Sequence, residues 1–309
     1  MYCTRKVLDD LIWVGADDRR LVCFEGAYDV PNGVSYNSYL LTDEKTVLFD
    51  TVDNAVRTTF RENVTHALAG RTPDYLVVHH MEPDHTAQLE DLVLRFPEVQ
   101  ILCSAMAKTM IGQFFGHAYD DRRHVCKEGD TLCTGRHTLR FLMAPMVHWP
   151  EVMMTYDLTD KILFSADAFG KFGALDADED WACEARRYYF GIVGKYGGPV
   201  QTLLKKAAAL DIAAICPLHG PALTENIGYY LNLYDIWSSY GVASEGDCIA
   251  YTSVYGNAKP TVEYLSDHLR ADGCPKVAVN DLARCHMAEA APPAIRYARP
   301  VLATTTSKT

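Results

Sequence analysis

The segment Leu76-Val77-Val78-His79-His80-Met81-Glu82-Pro83-Asp84-His85-Thr86-Ala87-Gln88-Leu89-Glu90 gathers imidazoles and carboxylates directly after an apolar run. In an extended chain residues two apart point to the same side, so His80 and Glu82 face together. Asp84 and His85 come after Pro83, where a turning backbone can aim them at a neighbouring point. A lone His or Asp is ordinarily a solvated surface residue. Charges clustered at the end of an apolar strand differ, because they cost free energy without a counter-ion. The chemistry this spacing offers is metal binding.

Three further donor residues occur in a similar setting. His148, Asp167 and His219 each follow closely on an apolar run, and a single histidine so placed is ordinarily a loop or core residue. Together with the first cluster they make seven donors, too many for one tetrahedral ion and about right for two metals sharing a carboxylate.

Elements must hold these residues. Tyr75 to Val78 has the length and apolar character of a buried strand, and Leu89, Leu92, Val93 and Phe96 recur at helical spacing after it. Such strand–loop–helix units place sites where strands end. Before them, Ile12 to Val14, Leu21 to Phe24, Tyr36 to Leu41 and Thr46 to Phe49 read as hairpin strands, followed by a helix over Ala55 to Ala69. After them come a strand at Gln100 to Cys103 and a helix to about Phe115. Strands follow at His137 to Met143, Met153 to Asp157, Lys161 to Ser165 and Ile212 to Cys216, with helices over Trp181 to Tyr189 and Pro199 to Leu210.

The chain has 309 residues, enough for one large domain plus a smaller one. A formal net charge of −11 argues against a nucleic-acid partner that needs a basic surface. No apolar run approaches the length of a membrane span, and the amino terminus has none of signal-peptide length; it is the cysteines that favour a reducing cytoplasm. The 10 cysteines form no C-x-x-C pair and several lie in apolar runs, which favours free thiols.

At these residues the sequence resembles the metallo-β-lactamase-like superfamily and, within it, the flavodiiron proteins. Gly33-Val34-Ser35-Tyr36-Asn37-Ser38-Tyr39-Leu40 and Val47-Leu48-Phe49-Asp50-Thr51-Val52 look like that family's opening hairpins. The zinc hydrolases of the superfamily carry H-x-H-x-D-H, whereas this chain has His80-x-Glu82-x-Asp84-His85. A carboxylate in place of an imidazole hardens the site and suits iron better than zinc. The resemblance implies an αββα sandwich over residues 1–245 holding two irons. His80, Glu82 and His148 would bind one, Asp84, His85 and His219 the other, and Asp167 would bridge them. It further implies a catalytic role for Tyr196 near the substrate pocket, and a His79 ring pointing away from His80.

Residues 246–309 resemble the start of a flavodoxin-like, doubly wound parallel sheet. Thr252, Ser253, Tyr255, Gly256 and Asn257 look like its FMN phosphate loop, although Ala258 replaces a common Thr. The segment fits strands at 248–251, 276–279 and 300–304 with helices at about 260–270 and 281–290. Five strands with their crossovers do not fit, so the domain is expected to be incomplete, its third strand an open edge, and tight FMN binding is not expected. Where relatives carry a flavin-loop Tyr-Asn, this chain has Ser307-Lys308. The implied function is reduction of O₂ to water and/or NO to N₂O with electrons from FMN, supplied by rubredoxin or another carrier, in a head-to-tail homodimer or tetramer. The alternatives are a metal-dependent hydrolase of the same fold, or a fragment that binds metal but cannot be reduced.

Overall fold

The computed structural model describes residues 2–117, 119–242 and 244–285 in full, and the backbone of 297–302. Two sheets dominate it. In the first, seven strands run in the spatial order Arg5–Lys6, Leu11–Trp13, Tyr39–Thr42, Thr46–Phe49, Tyr75–Val78, Gln100–Cys103 and Arg123–Val125. The last four are parallel, joined through the helices Arg57–Leu68, Leu89–Arg95 and Ala105–Phe115. In the second, Thr131–Cys133, Thr138–Met143, Met153–Asp157 and Ile162–Phe164 are antiparallel, and Ala214–Cys216 adds in parallel to Ile162–Phe164.

Strand periodicity assigns the layers. Val47 and Phe49, Val77, Phe141, Met153, Ile162 and Phe164, and Ala214 and Cys216 belong to the core between the sheets. Their neighbours Leu48, Leu76 and Val78, Leu142, Met154, Leu163 and Ile215 point the other way, into the core that includes helix residues Phe60, Val64, Leu92, Ile111, Val200, Leu203 and Trp237. Alternating side chains therefore reach two different cores, and strands buried on both faces read as unbroken apolar runs. The architecture is the expected αββα sandwich. Phe49 and Phe164 stack across it at 3.9 Å, and His79 stacks on Phe49 at 5.8 Å.

A third sheet is parallel throughout, in the order Val277–Asp281, Ser244–Tyr251, Tyr297–Leu302, with the helix Ala258–Ala271 as one crossover. Its own small core holds Ile249, Tyr251, Ala258 and Val262. The last strand forms one edge, as expected.

Several elements differ from the sequence expectations. The run Tyr36 to Leu41 splits into Val34–Tyr36 and Tyr39–Thr42, because Asn37 turns inward. Its side chain accepts from Trp13 Nε1 and donates to the carbonyls of Pro217 and Gly220. Only Cys23–Phe24 of the run from Leu21 is strand, paired with Tyr28–Asp29. Pro83–Thr86 forms a short helix of its own before Leu89–Arg95, and Trp181–Tyr188 continues through a wider turn over Tyr189–Val193. The helix Ile227–Ser238 was not expected. Its cap residue Asn226 is left-handed and makes no side-chain cap, so the usual start signal is missing. The strand expected at 248–251 begins at Ser244. Of the helix expected at 281–290, Leu282 to Cys285 form a turn and the rest lies outside the described residues, as do Ser307 and Lys308.

Candidate metal centre

The carboxyl-terminal ends of the central strands meet along one edge of the sandwich. There Met153 N–H donates to His79 O, Ser165 N–H to Cys216 O, Leu218 N–H to Ala166 O, and Asn37 N–H to Leu218 O. These bonds fix the loops that carry the candidate ligands. Met146, Ala166 and Phe169 hold left-handed backbone in two of those loops, a conformation that persists where surroundings over-determine it.

All seven predicted donors come together, in two groups. His80, Glu82, His148 and Asp167 offer atoms within 4.8 Å of one another, as do Asp84, His85 and His219. The histidines all present Nε2. Asp167 Oδ2 lies 3.2 Å from His80 and 3.0 Å from His148. Its Oδ1 lies 3.2 Å from His85 and 3.7 Å from His219. Glu82 Oε2 sits 3.2 Å from His80 and 3.1 Å from His148, while Asp84 Oδ2 sits 3.4 Å from His85 and 3.3 Å from His219. One carboxylate thus turns one oxygen to each group, and each group has a further carboxylate of its own.

The rings are oriented from behind. His80 Nδ1 meets Glu151 Oε1 at 2.7 Å, and the same oxygen accepts from Met81 N–H at 2.8 Å. His219 Nδ1 meets the Ser35 carbonyl at 2.7 Å. Such partners fix the tautomer that leaves Nε2 as the donor atom. His79 points elsewhere, as expected, with Nδ1 on Asp50 at 2.5 Å and Nε2 on Thr155 at 2.8 Å.

The centre is built for positive charge. Both oxygens of Asp84, Asp167 Oδ1 and His85 Nε2 are buried without a hydrogen-bond partner. Burial pushes the His148 and His85 imidazoles down, but the surrounding carboxylates outweigh it and raise both to about 9. His80 is likewise held well above its usual value against burial, chiefly by Asp167. Asp167 is held well below the carboxylate range, the neighbouring imidazoles overcoming its burial. The carboxylates thus favour positive charge beside them. The orphaned oxygens and the mixed imidazole–carboxylate donor set fit a pair of hard-to-borderline divalent ions.

Aromatic residues pack around the histidines. Trp149 stands edge-on to His80 at 5.2 Å, and Phe24, Tyr36 and Tyr188 approach His219 at 5.4, 5.7 and 5.5 Å. Tyr196 is half-buried at the start of the helix Gly197–Ala207, with Lys195 Nζ 4.9 Å from its ring, and makes no hydrogen bond to the seven donors among the described residues. Sequence reasoning missed Glu151 and Tyr188. Glu151 lies three residues after His148, a spacing that could have drawn attention to it. Loss of solvent around its carboxyl, then the nearby charge of Glu82, push Glu25 up to about 8.

In the third sheet, Thr252 to Asn257 leave the end of the strand Ser244–Tyr251 and lead into the helix Ala258–Ala271. Ser253 Oγ accepts from Ala258 N–H at 3.1 Å, Gly256 has φ 86°, and Tyr255 is 91% exposed. Among the described residues no side-chain hydrogen bond is made by Thr252, Tyr255 or Asn257, which lie just before the N-terminus of that helix.

Known proteins resemble this chain in sequence and fold. Residues 34–220 match the family described as ODP family beta lactamase. The anaerobic nitric oxide reductase flavorubredoxin homolog of Escherichia coli O157:H7 is 32% identical over 288 residues, covering 89% of this chain and 69% of the relative. Among solved structures, rubredoxin oxygen:oxidoreductase from Desulfovibrio gigas superposes with a TM-score of 0.89 at 26% identity, covering 97% of this chain and 77% of that one. The flavodiiron protein from Giardia intestinalis gives 0.88 at 25% identity, covering 94% and 72%. The chain spans from 44% to 69% of the length of curated relatives it matches. With its sandwich and paired donor groups, the family match over residues 34–220 and a relative 32% identical over 69% of its length, the protein belongs to the flavodiiron protein family.

Proposed function

We propose that the chain holds two iron ions and takes part in reducing O₂ to water and/or NO to N₂O with electrons delivered through FMN. His80, Glu82 and His148 would hold one ion and Asp84, His85 and His219 the other, with Asp167 shared between them. The observation that carries this reading is the division of Asp167, with Oδ2 beside His80 and His148 and Oδ1 beside His85 and His219. Bound iron supplies a redox-active Lewis acid that takes up and polarises a diatomic ligand.

The protein's own residues set the conditions for that chemistry. Glu151 and Ser35 fix the His80 and His219 rings, so neither needs to reorganise when metal or substrate enters. Trp149, Phe24, Tyr36 and Tyr188 pack against the His80 and His219 rings and surround them with apolar surface. Thr252, Ser253, Tyr255, Gly256 and Asn257 would hold the FMN phosphate against the start of the helix Ala258–Ala271, in a unit that divides from the sandwich near residue 245. The electron donor is a rubredoxin-type carrier, which the names of the relatives support. A head-to-tail homodimer would bring the flavin of one subunit to the irons of another. Among the described residues no helix is long and apolar enough to cross a membrane, in keeping with work in the cytoplasm.

Metal and flavin content of anaerobically purified protein tests the reading. About two irons per chain with little zinc, and a flavin absorbance band, are expected. Stoichiometric zinc after iron-replete expression, with no flavin, would overturn it in favour of the hydrolase.

A further inference from the structure

A buried ion pair stands behind the second donor group. Lys171, four residues after Asp167, is 5% exposed, and its ammonium donates to the Glu179 carboxylate and, at 2.9 Å, to the Phe172 carbonyl. The Glu179 side chain is largely buried too, and its other oxygen accepts from Asn32 Nδ2 at 2.8 Å. A lysine is seldom buried unless it is paired in this way. Two glycines make room for the pair. A Cβ on Gly220 would stand 2.7 Å from Lys171 Cγ, and a Cβ on Gly173 would run into the Glu179 carboxylate. Both glycines are also left-handed, with φ of 80° and 97°.

The pair ties together the segments that carry Asp167 and His219. Gly170 N–H closes a turn on the Asp167 carbonyl at 3.1 Å, and Lys171 follows directly. The Lys171 stem lies on Gly220, the neighbour of His219. Past it, Gly173 N–H donates to the Gly33 carbonyl and Ala174 N–H to the Asn32 carbonyl, both at 3.0 Å. Two residues on, Ser35 accepts from His219 Nδ1 with its carbonyl and from Gly220 N–H with its hydroxyl, each at 2.7 Å. His80 and Met81 are held elsewhere, by Glu151. Burying an ion pair in place of apolar side chains often brings no gain in stability, so what this pair supplies is a fixed spacing. We propose that Lys171 and Glu179 are positioning residues of the metal centre. By holding Gly220 against the turn after Asp167, they set the 3.7 Å approach of His219 to Asp167 Oδ1, and with it the grip on the ion of Asp84, His85 and His219. The proposal rests on the dimetal reading above.

Anaerobic titration of the full chain with cobalt(II), followed by d–d absorption, tests it in wild type, K171M, E179Q and H219A. Wild type is expected to take up two ions, and H219A identifies the absorption of the ion that His219 holds. K171M keeps the stem on Gly220 without the ammonium, and E179Q keeps the side-chain shape without the charge. In both, the His219 ion should bind at least about 10-fold more weakly while the other binds as in wild type. A pair that only stabilises the fold would lower the melting temperature of metal-free protein and leave the two affinities in their wild-type ratio, which overturns the proposal. Wild-type binding of both ions in either folded variant overturns it equally. Melting of the metal-free protein shows whether each variant folds, and E179Q alone decides if K171M does not. Fewer than two cobalt ions in wild type would remove the dimetal reading itself, and this proposal with it.

Discussion

At the scale of single residues, the donor set was largely legible because metal ligation constrains residue type. An imidazole or carboxylate just past an apolar strand stands out, and all seven such residues meet at one edge of the sandwich. What supports them was not legible. Glu151 lies on the same loop as His148 but serves His80, and the Ser35 carbonyl that orients His219 comes from far away in the chain. No local spacing rule encodes either contact. The charge state of the donors makes a prediction of its own. His85 and His148 sit at about 9, and His80 is also raised well above its ordinary value, so at pH 7 all carry protons without metal. Metal requires them neutral. Loading with manganese(II) should therefore release at least about three protons per chain at pH 7, and fewer as pH passes about 9. Apparent affinity rises with pH over the same window, since protons compete. Calorimetry in buffers of different ionisation heat reads the release directly, and a value of zero at pH 7 would contradict the protonated cluster.

At the scale of elements, strands that pass through the sandwich were read almost to the residue. Thr46–Phe49, Tyr75–Val78, Gln100–Cys103 and Met153–Asp157 match their expected bounds, because both of their faces are apolar and turn residues flank them. The failures share a cause: a long-range contact decides. Asn37 breaks a strand to bond carbonyls near residue 220, and Ile227–Ser238 is held by packing of Tyr234 and Trp237 rather than by a cap. Asp50 shows how such contacts join elements. Left-handed at φ 53°, it closes the strand Thr46–Phe49. One oxygen accepts from His79 N–H at 2.7 Å and the other meets His79 Nδ1, while the far side of that ring reaches Thr155 in the opposite sheet. D50A would leave a buried N–H and a buried ring nitrogen unpaired. A loss of about 3 kcal/mol is expected. It should appear as a lower urea midpoint with an unchanged slope in metal-free protein.

At the scale of the whole molecule, the two sheets are clamped at both ends. The ligand loops fasten the edge that carries the metal centre, and a buried histidine fastens turns elsewhere in the sandwich. His137 lies between Asp157, 2.8 Å from Nδ1, and Asp10, 2.9 Å from Nε2, and its N–H donates to Asp43. Arg136 joins Asp10 to Asp160 beside it. Asp10, His137 and Asp160 also have metal-like spacing, but the guanidinium among them already supplies the positive charge that a cation would bring. The cluster is thus an ion network joining the first sheet to the second. Burial disfavours the imidazolium, yet hydrogen bonds to Asp10 and Asp157 outweigh it, so His137 is raised above its ordinary value. The sign follows from linkage: a histidine whose value is higher folded than unfolded stabilises the fold fully below about 6.5, and loses that contribution as pH rises through its folded value. H137Q removes the titrating group while keeping a polar side chain of similar reach. The melting temperature of wild type should therefore exceed that of H137Q most at pH 6, and the gap should narrow toward pH 9. A gap that stays constant with pH would mean that His137 joins the sheets by packing alone.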